Sequence, residues 1–139
     1  MLTDGQTNTI HTYASQKPIS LVYLFGSQAT GDVGPSSDYD FAVLFDRLLS
    51  SGERFDLKLD FVNFLSGIVK TDKIDVVDLN VAPVSFAFET TTKGVCLFGN
   101  RQVQDDFEFL TFQRFQDQRF YLKRYASEIV ARIAATGFD

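Results

Sequence analysis

The stretch from Leu21 to Phe45 constrains the fold of this chain more than any other part of its sequence. It contains two short apolar runs, 21–25 and 41–45, which include aromatic and β-branched residues. Runs of this length and composition are typical of buried β-strands. The segment between them is polar and is interrupted by Gly and Pro, as turns commonly are. The stretch therefore predicts two strands joined by a polar loop.

Two aspartates, Asp38 and Asp40, open the second run. Because side chains alternate between the faces of a strand, both carboxylates should point one way, and Tyr39, Phe41 and Val43 the other. Neighbouring carboxylates repel each other unless a cation lies between them or water solvates them fully. Hard divalent cations bind oxygen ligands, so this pair is a candidate metal site.

The first run ends in Gly26 and Ser27, where the pattern indicates a turn into a short helix over 27–30. Glycine allows close backbone approach, and the N–H groups at a helix start can bind phosphate oxygens. A phosphate-binding turn beside metal-binding carboxylates indicates phosphoryl or nucleotidyl transfer. The alternative is a plain pair of strands with Asp38 as an exposed turn residue. An Asp-x-Asp motif alone would favour this alternative, but Gly-Ser and the flanking apolar strands together favour a phosphate- and metal-binding site.

The remaining sequence predicts further elements around these strands. Apolar spacing predicts helices over 3–16, 48–69, 83–92 and 105–135, and Gly52 suggests that the second of them starts just after it. Strands are expected at 74–79 and 95–98. We therefore expect an α+β fold, an α/β-type sandwich with a mixed β-sheet of about four strands, flanking helices and a long C-terminal helix. One stripe of that last helix should pack on the domain: Phe112, Phe115, Leu122, Ile129 and Ile133.

Length and charge narrow the class of protein. A chain of 139 residues is expected to form a single domain, 1–139, with its own core. Its net charge of −5 argues against direct nucleic-acid binding, for which proteins normally use a basic patch. No apolar stretch reaches about 18 residues, so no membrane span is expected. The N-terminus lacks a basic start followed by an apolar core, so we expect a cytoplasmic location.

The strand expected at 74–79 carries two further carboxylates, Asp75 and Asp78. Residues three apart lie on opposite faces of a regular strand, so only one of them can join Asp38 and Asp40. The alternation alone leaves open which of the two it is.

These motifs resemble the DNA polymerase β-like nucleotidyltransferase superfamily, and most closely its minimal nucleotidyltransferase (MNT) branch. The family pattern is an apolar strand, Gly-Ser, a spacer of about ten residues, Asp-x-Asp on the next strand and a third carboxylate on a later one. Its first parts match Gly26, Ser27, Asp38 and Asp40. In relatives, the third carboxylate is the first Asp of an apolar-Asp-apolar-apolar-Asp-apolar run, which is Asp75 here. Asp78 is then expected to be a turn or surface residue.

The resemblance implies a nucleotidyltransferase that uses ATP and two Mg²⁺ ions. Asp38 and Asp40 would hold the ions, with Asp75 completing the shell of the ion that binds the attacking hydroxyl. Ser27 and the backbone after Gly26 would hold the triphosphate. Many relatives carry a basic residue just after Gly-Ser, whereas this chain has Gln, Ala and Thr at 28–30. The resemblance therefore does not predict which side chain contacts the triphosphate.

Short MNT proteins are commonly paired with a HEPN-domain ribonuclease toxin. The resemblance implies that the chain transfers AMP from ATP to a tyrosine hydroxyl of such a toxin and acts as its antitoxin, in a hetero-oligomer or as a homo-oligomer. One alternative is a non-catalytic antitoxin that neutralises by binding alone. Another is transfer to a small-molecule hydroxyl, such as that of an aminoglycoside. Phe120, Tyr121 and Tyr125 lie largely off the predicted stripe, and they belong either to a broad buried helix face or to a partner surface.

Overall fold

The computed structural model describes residues 2–26, 29 and 38–136 of the chain. The elements follow in the order α1 (Asp4–Ser15), β1 (Ile19–Phe25), β2 (Tyr39–Phe45), α2 (Ser51–Val69), β3 (Ile74–Asp78), α3 (Val84–Lys93), β4 (Val95–Gly99) and α4 (Arg101–Thr136). They confirm the expected α+β class and the long C-terminal helix. Apart from Ala29, the short helix and the loop expected between β1 and β2 lie outside the described residues.

The strands that the structure describes form one mixed sheet in the order β3-β2-β1-β4. β1 pairs antiparallel with β2 and with β4, whereas β2 and β3 are parallel. Parallel neighbours need a crossover connection, which α2 supplies between β2 and β3. The starts of β2 and β3 therefore lie at the same end of the sheet as the end of β1.

The alternation of side chains divides the core between two faces of the sheet. On one face, Phe41 and Val76 are buried together with residues of α1 and α2. On the other face, Ala42 and Tyr23 pack with Ala87 of α3 and with part of α4. We call these the α1/α2 face and the α3/α4 face. The sheet is thus covered on both sides, as the expected sandwich requires.

The start of α2 is set by a capping box. The Ser50 hydroxyl accepts a hydrogen bond from the Glu53 N–H, and the Glu53 carboxylate accepts one from the Ser50 N–H. This reciprocal pair satisfies two donors that a helix start leaves free. Gly52 therefore lies inside the first turn, and the prediction that the helix begins after Gly52 is wrong.

Among the described residues, the first half of the long helix α4 packs on the sheet and on α3. The Tyr23 hydroxyl donates to Glu108 at 2.8 Å, and Phe115 stacks on Phe88 of α3 with ring centroids 4.0 Å apart. Further along, Leu122 is 63% exposed. A helix of 36 residues is about 54 Å long, far longer than the ten-residue α3 that it packs against. The expected packing stripe is therefore confirmed at Phe115 and wrong at Leu122.

Candidate active site

Three aspartates lie at the end of the sheet where β2 and β3 begin. Asp38 immediately precedes β2, and Asp40 and Asp75 are the second residues of β2 and β3. The parallel register pairs Asp40 directly with Asp75. Both side chains are therefore on the α3/α4 face, because the residues that follow them, Phe41 and Val76, are buried on the α1/α2 face.

The charges of the three carboxylates act on one another. Asp40 is partly buried, whereas Asp38 and Asp75 are exposed. Burial raises the pKa of the Asp40 carboxyl above its usual range, and the negative charges of Asp75 and then Asp38 raise this pKa further. Like charges disfavour ionisation in this way only when they are close. The structure therefore places all three aspartates that the sequence analysis selected at one end of the sheet.

Gly26 brings the end of β1 against the same carboxylates. Its φ of +75° lies in the left-handed region that glycine adopts readily. A Cβ atom at this position would lie 2.6 Å from Oδ2 of Asp40, so a larger residue would collide with the carboxylate. The group that this glycine approaches in the structure is Asp40, and its expected approach to a phosphate stays a prediction. Ser27, the other residue expected to bind the nucleotide, lies outside the described residues.

Asp78 lies away from the candidate site and has a structural partner. Its Oδ2 accepts a hydrogen bond from Nε of Arg54 on α2 at 2.8 Å, and the two side chains are only 17% and 14% exposed. Its Oδ1 accepts the N–H of Asn80 at 2.9 Å, within the turn that follows β3. Of the two alternatives expected of Asp78, a turn or a surface residue, the structure agrees with the turn, since the ion pair is largely covered.

The donor chemistry of the three carboxylates fits Mg²⁺, which prefers oxygen ligands and few protein groups. Within the described parts of the chain, no three His, Cys, Asp or Glu side chains are already gathered at the spacing of a metal-binding shell. Burial raises the pKa of Asp40 most, and the charges of Asp75 and Asp38 raise it further; a divalent cation would offset this second, repulsive contribution. We conclude that the site has suitable ligands whose side chains would still have to close on an ion.

Two pockets flank the carboxylates. The larger, of about 430 Å³, opens beside Gly26 and is lined by Phe25, Gly26, Phe86, Glu89, Thr90 and Lys93. The rings of Phe25 and Phe86 meet edge to face at 5.2 Å and supply apolar surface. The smaller, of about 240 Å³, is lined by Asp38 and by residues 72–75. The sequence analysis missed the contribution of α3, because residues this distant in the chain meet only through the sheet order.

A glycine at the end of one strand, facing carboxylates on the next two strands of a mixed sheet, is the arrangement that the sequence analysis expected of a nucleotidyltransferase. The family model described as polymerase beta, nucleotidyltransferase matches residues 8–103. The chain therefore belongs to this family. Among the described helices, none combines the length and the apolar character needed to cross a membrane.

Comparison with individual proteins gives more specific similarities than the family model does. The chain is 28% identical over 117 residues to the protein adenylyltransferase MntA of Shewanella oneidensis, covering 84% of this chain and 81% of that protein. A crystal structure of a toxin–antitoxin pair with AMP-PNP contains a similar chain, with a TM-score of 0.71, 25% identity, and coverage of 89% of this chain and 98% of that one. The complex of the tri-AMPylated Shewanella oneidensis HEPN toxin with its MNT antitoxin contains the same fold, with a TM-score of 0.67, 23% identity, and coverage of 93% and 99%.

Proposed function

We propose that this chain is a Mg²⁺-dependent adenylyltransferase that transfers AMP from ATP to a tyrosine hydroxyl of a HEPN ribonuclease toxin, and thereby acts as its antitoxin. The observation that carries the proposal is the direct pairing of Asp40 with Asp75, beside Gly26 and Asp38. Family membership supports nucleotidyl transfer, and the MntA relative supports a protein as the acceptor. The complex of similar fold that contains an AMPylated HEPN toxin suggests this acceptor.

Each candidate residue has a separate task in this reaction. Asp38 and Asp40 would hold the two Mg²⁺ ions, with Asp75 completing the shell of one of them. When bound, Mg²⁺ would offset phosphate charge and make the attacking hydroxyl more acidic. Gly26 leaves room for the nucleotide beside Asp40, and Ser27 would hold the triphosphate together with the backbone.

Asp75 is the residue placed to receive the acceptor. It lines the smaller pocket and is exposed, so an incoming hydroxyl can reach its carboxylate. The tyrosine oxygen would form a bond to the α-phosphorus of ATP while the bond to pyrophosphate breaks. The phenolic proton would pass to Asp75 directly or through water. A hetero-oligomer with the toxin and a cytoplasmic location belong to the same proposal, because ATP is the co-substrate.

The proposal is tested with ATP labelled at its α-phosphate, Mg²⁺ and a HEPN ribonuclease toxin as acceptor. We expect label on the HEPN protein with the wild-type chain and none with Asp38→Asn. Asp56→Asn is the matched control, since it makes the same change at an exposed position of α2. A stable complex without label would favour an antitoxin that only binds. Label on an added aminoglycoside, and none on protein, would favour a small-molecule acceptor.

A further inference from the structure

The larger pocket contains a positive charge at its mouth. Of its lining residues, Lys93 carries that charge, and it is the last residue of α3. Its side chain is 71% exposed, and its Nζ lies 3.5 Å from Oε1 of Glu89, one turn earlier. Exposed pairs of this kind contribute little to stability, so the ammonium group can turn to another anion at small cost.

Gly94 holds this lysine next to the end of β1. A Cβ atom at position 94 would lie 2.5 Å from the carbonyl oxygen of Thr90 and 3.0 Å from that of Leu24. The Gly94 N–H also donates to the Thr90 carbonyl at 2.8 Å, which completes the last turn of α3. Only glycine permits this approach without a shift of backbone. The packing therefore fixes Lys93 beside the strand end that carries Gly26.

The pocket lies on the side of the carboxylates away from the expected acceptor. Asp75 is on β3, on one side of β2, whereas Gly26 ends β1, on the other side. In phosphoryl transfer, the attacking and leaving oxygens are roughly in line on opposite sides of the phosphorus. If the acceptor hydroxyl approaches from Asp75, the leaving pyrophosphate points towards Gly26 and the larger pocket.

We propose that Lys93 binds the β- and γ-phosphates of ATP and supplies the cation that the chain lacks at 28–30. This inference rests on the proposed nucleotidyl transfer. Gln, Ala and Thr at those positions carry no positive charge, so any side-chain cation that joins Mg²⁺ on the triphosphate comes from another position. Lysine binds phosphate as a point charge on a flexible stem, and an exposed position at a pocket mouth suits that role.

Glu89 pairs with Lys93, so its replacement gives a second test of the role of the Lys93 charge. It neutralises Lys93 in the free protein, and its carboxylate would repel a phosphate that approaches the same ammonium group. Replacement of Glu89 by glutamine removes both effects. ATP binding should then become stronger or stay unchanged, whereas a residue that contacts the adenine ring would show weaker binding when replaced.

The test is the calorimetric binding of α,β-methylene ATP, which cannot transfer AMP, and of AMP, both with Mg²⁺. For Lys93→Gln we expect about tenfold weaker binding of the triphosphate, as for one lost charged contact, and a change of roughly twofold or less for AMP. Lys58→Gln on α2 makes the same charge change on the α1/α2 face and should alter neither affinity. Glu89→Gln should not weaken triphosphate binding.

Other results would refute the phosphate role of Lys93 or the proposed function itself. Unchanged triphosphate affinity in Lys93→Gln, or equal losses for the triphosphate and AMP, would refute the phosphate role. Equal losses would indicate that Lys93 only completes α3 and shapes the pocket. Weaker binding in Glu89→Gln would also refute it, because Glu89 would then be a nucleotide contact. A wild-type chain that binds neither ligand would refute the proposed function itself, and this inference with it.

Discussion

Asp75→Asn and Asp78→Asn should affect different properties, AMP transfer in the first case and stability in the second, although the two residues are three apart on one strand. Asp75 is exposed beside Asp40, and Asp78 forms an ion pair with Arg54 on the other face. The change at Asp75 should reduce AMP transfer at least about a hundredfold, the usual contribution of a positioned acid or base. The stability of the Asp75→Asn variant should not fall, because the change replaces a carboxylate that Asp40 repels with a neutral amide. The change at Asp78 should lower stability and leave transfer near normal while the protein is folded.

The magnitude at Asp78 follows from the covering of its ion pair. Removal of one partner costs about 3–5 kcal/mol for a buried pair, against about 0–1 kcal/mol for an exposed pair. The two side chains are 17% and 14% exposed, and asparagine can still accept the N–H of Asn80. We therefore expect a loss of about 2 kcal/mol in the free energy of unfolding. For a domain of this size, the melting temperature would fall by about 5–10 °C.

The assay compares both variants for AMP transfer, with ATP and Mg²⁺, well below either melting transition. Thermal unfolding of the same samples is followed by circular dichroism without Mg²⁺. Equal losses of transfer in the two variants, or a larger loss for Asp78→Asn, would refute Asp75 as the third carboxylate.

Three further predictions concern the site and the long helix. Asp38→Asn and Asp40→Asn should each abolish transfer without lowering the melting temperature in the absence of Mg²⁺, and near-normal turnover in either would contradict the metal role. Because burial, Asp75 and Asp38 raise the pKa of Asp40, the folded chain binds more protons there, so the metal-free stability of the wild type relative to Asp40→Asn should rise as pH falls towards 3.8, and a difference between their melting curves that does not change with pH would contradict this. Gly26→Ala should cost about 1–2 kcal/mol of stability and reduce transfer, because its Cβ would meet Asp40 at a positive φ; wild-type melting and turnover would exclude this. Tyr121→Ala combined with Tyr125→Ala should weaken the toxin complex in size-exclusion chromatography at an unchanged melting temperature, since these side chains are 69% and 59% exposed, whereas a large fall in melting temperature would place them in a core.

The local patterns of the sequence predicted much of the candidate site. Alternation along a strand separates Asp75 from Asp78, and this holds in the structure because β3 is regular. The choice of Asp75 came from the family resemblance. The partner of Asp78 could not be predicted, because Arg54 reaches it only once α2 has crossed back over the sheet. The place of Lys93 likewise depends on how closely α3 approaches β1.

The long helix shows a second limit of sequence patterns. Apolar spacing identifies the face of a helix that avoids water, but it does not identify what covers that face. Phe115 stacks on Phe88 of α3, whereas Leu122 is exposed. The exposed aromatic residues in the second half of α4 agree with a partner surface. Phe120 is 62% exposed, so it does not belong to the alternative, a broad buried helix face.

The ribonuclease activity of the HEPN partner, measured after the present chain has been removed, tests the central claim most directly. The partner is first incubated with the chain, ATP and Mg²⁺, then separated from it and weighed by mass spectrometry. We predict that the partner stays inactive and is heavier by one or more AMP units, and that it keeps full activity and its original mass when Asp40→Asn is used. Recovery of full activity at the original mass after treatment with the wild-type chain would show that binding alone neutralises the toxin, and would contradict the account.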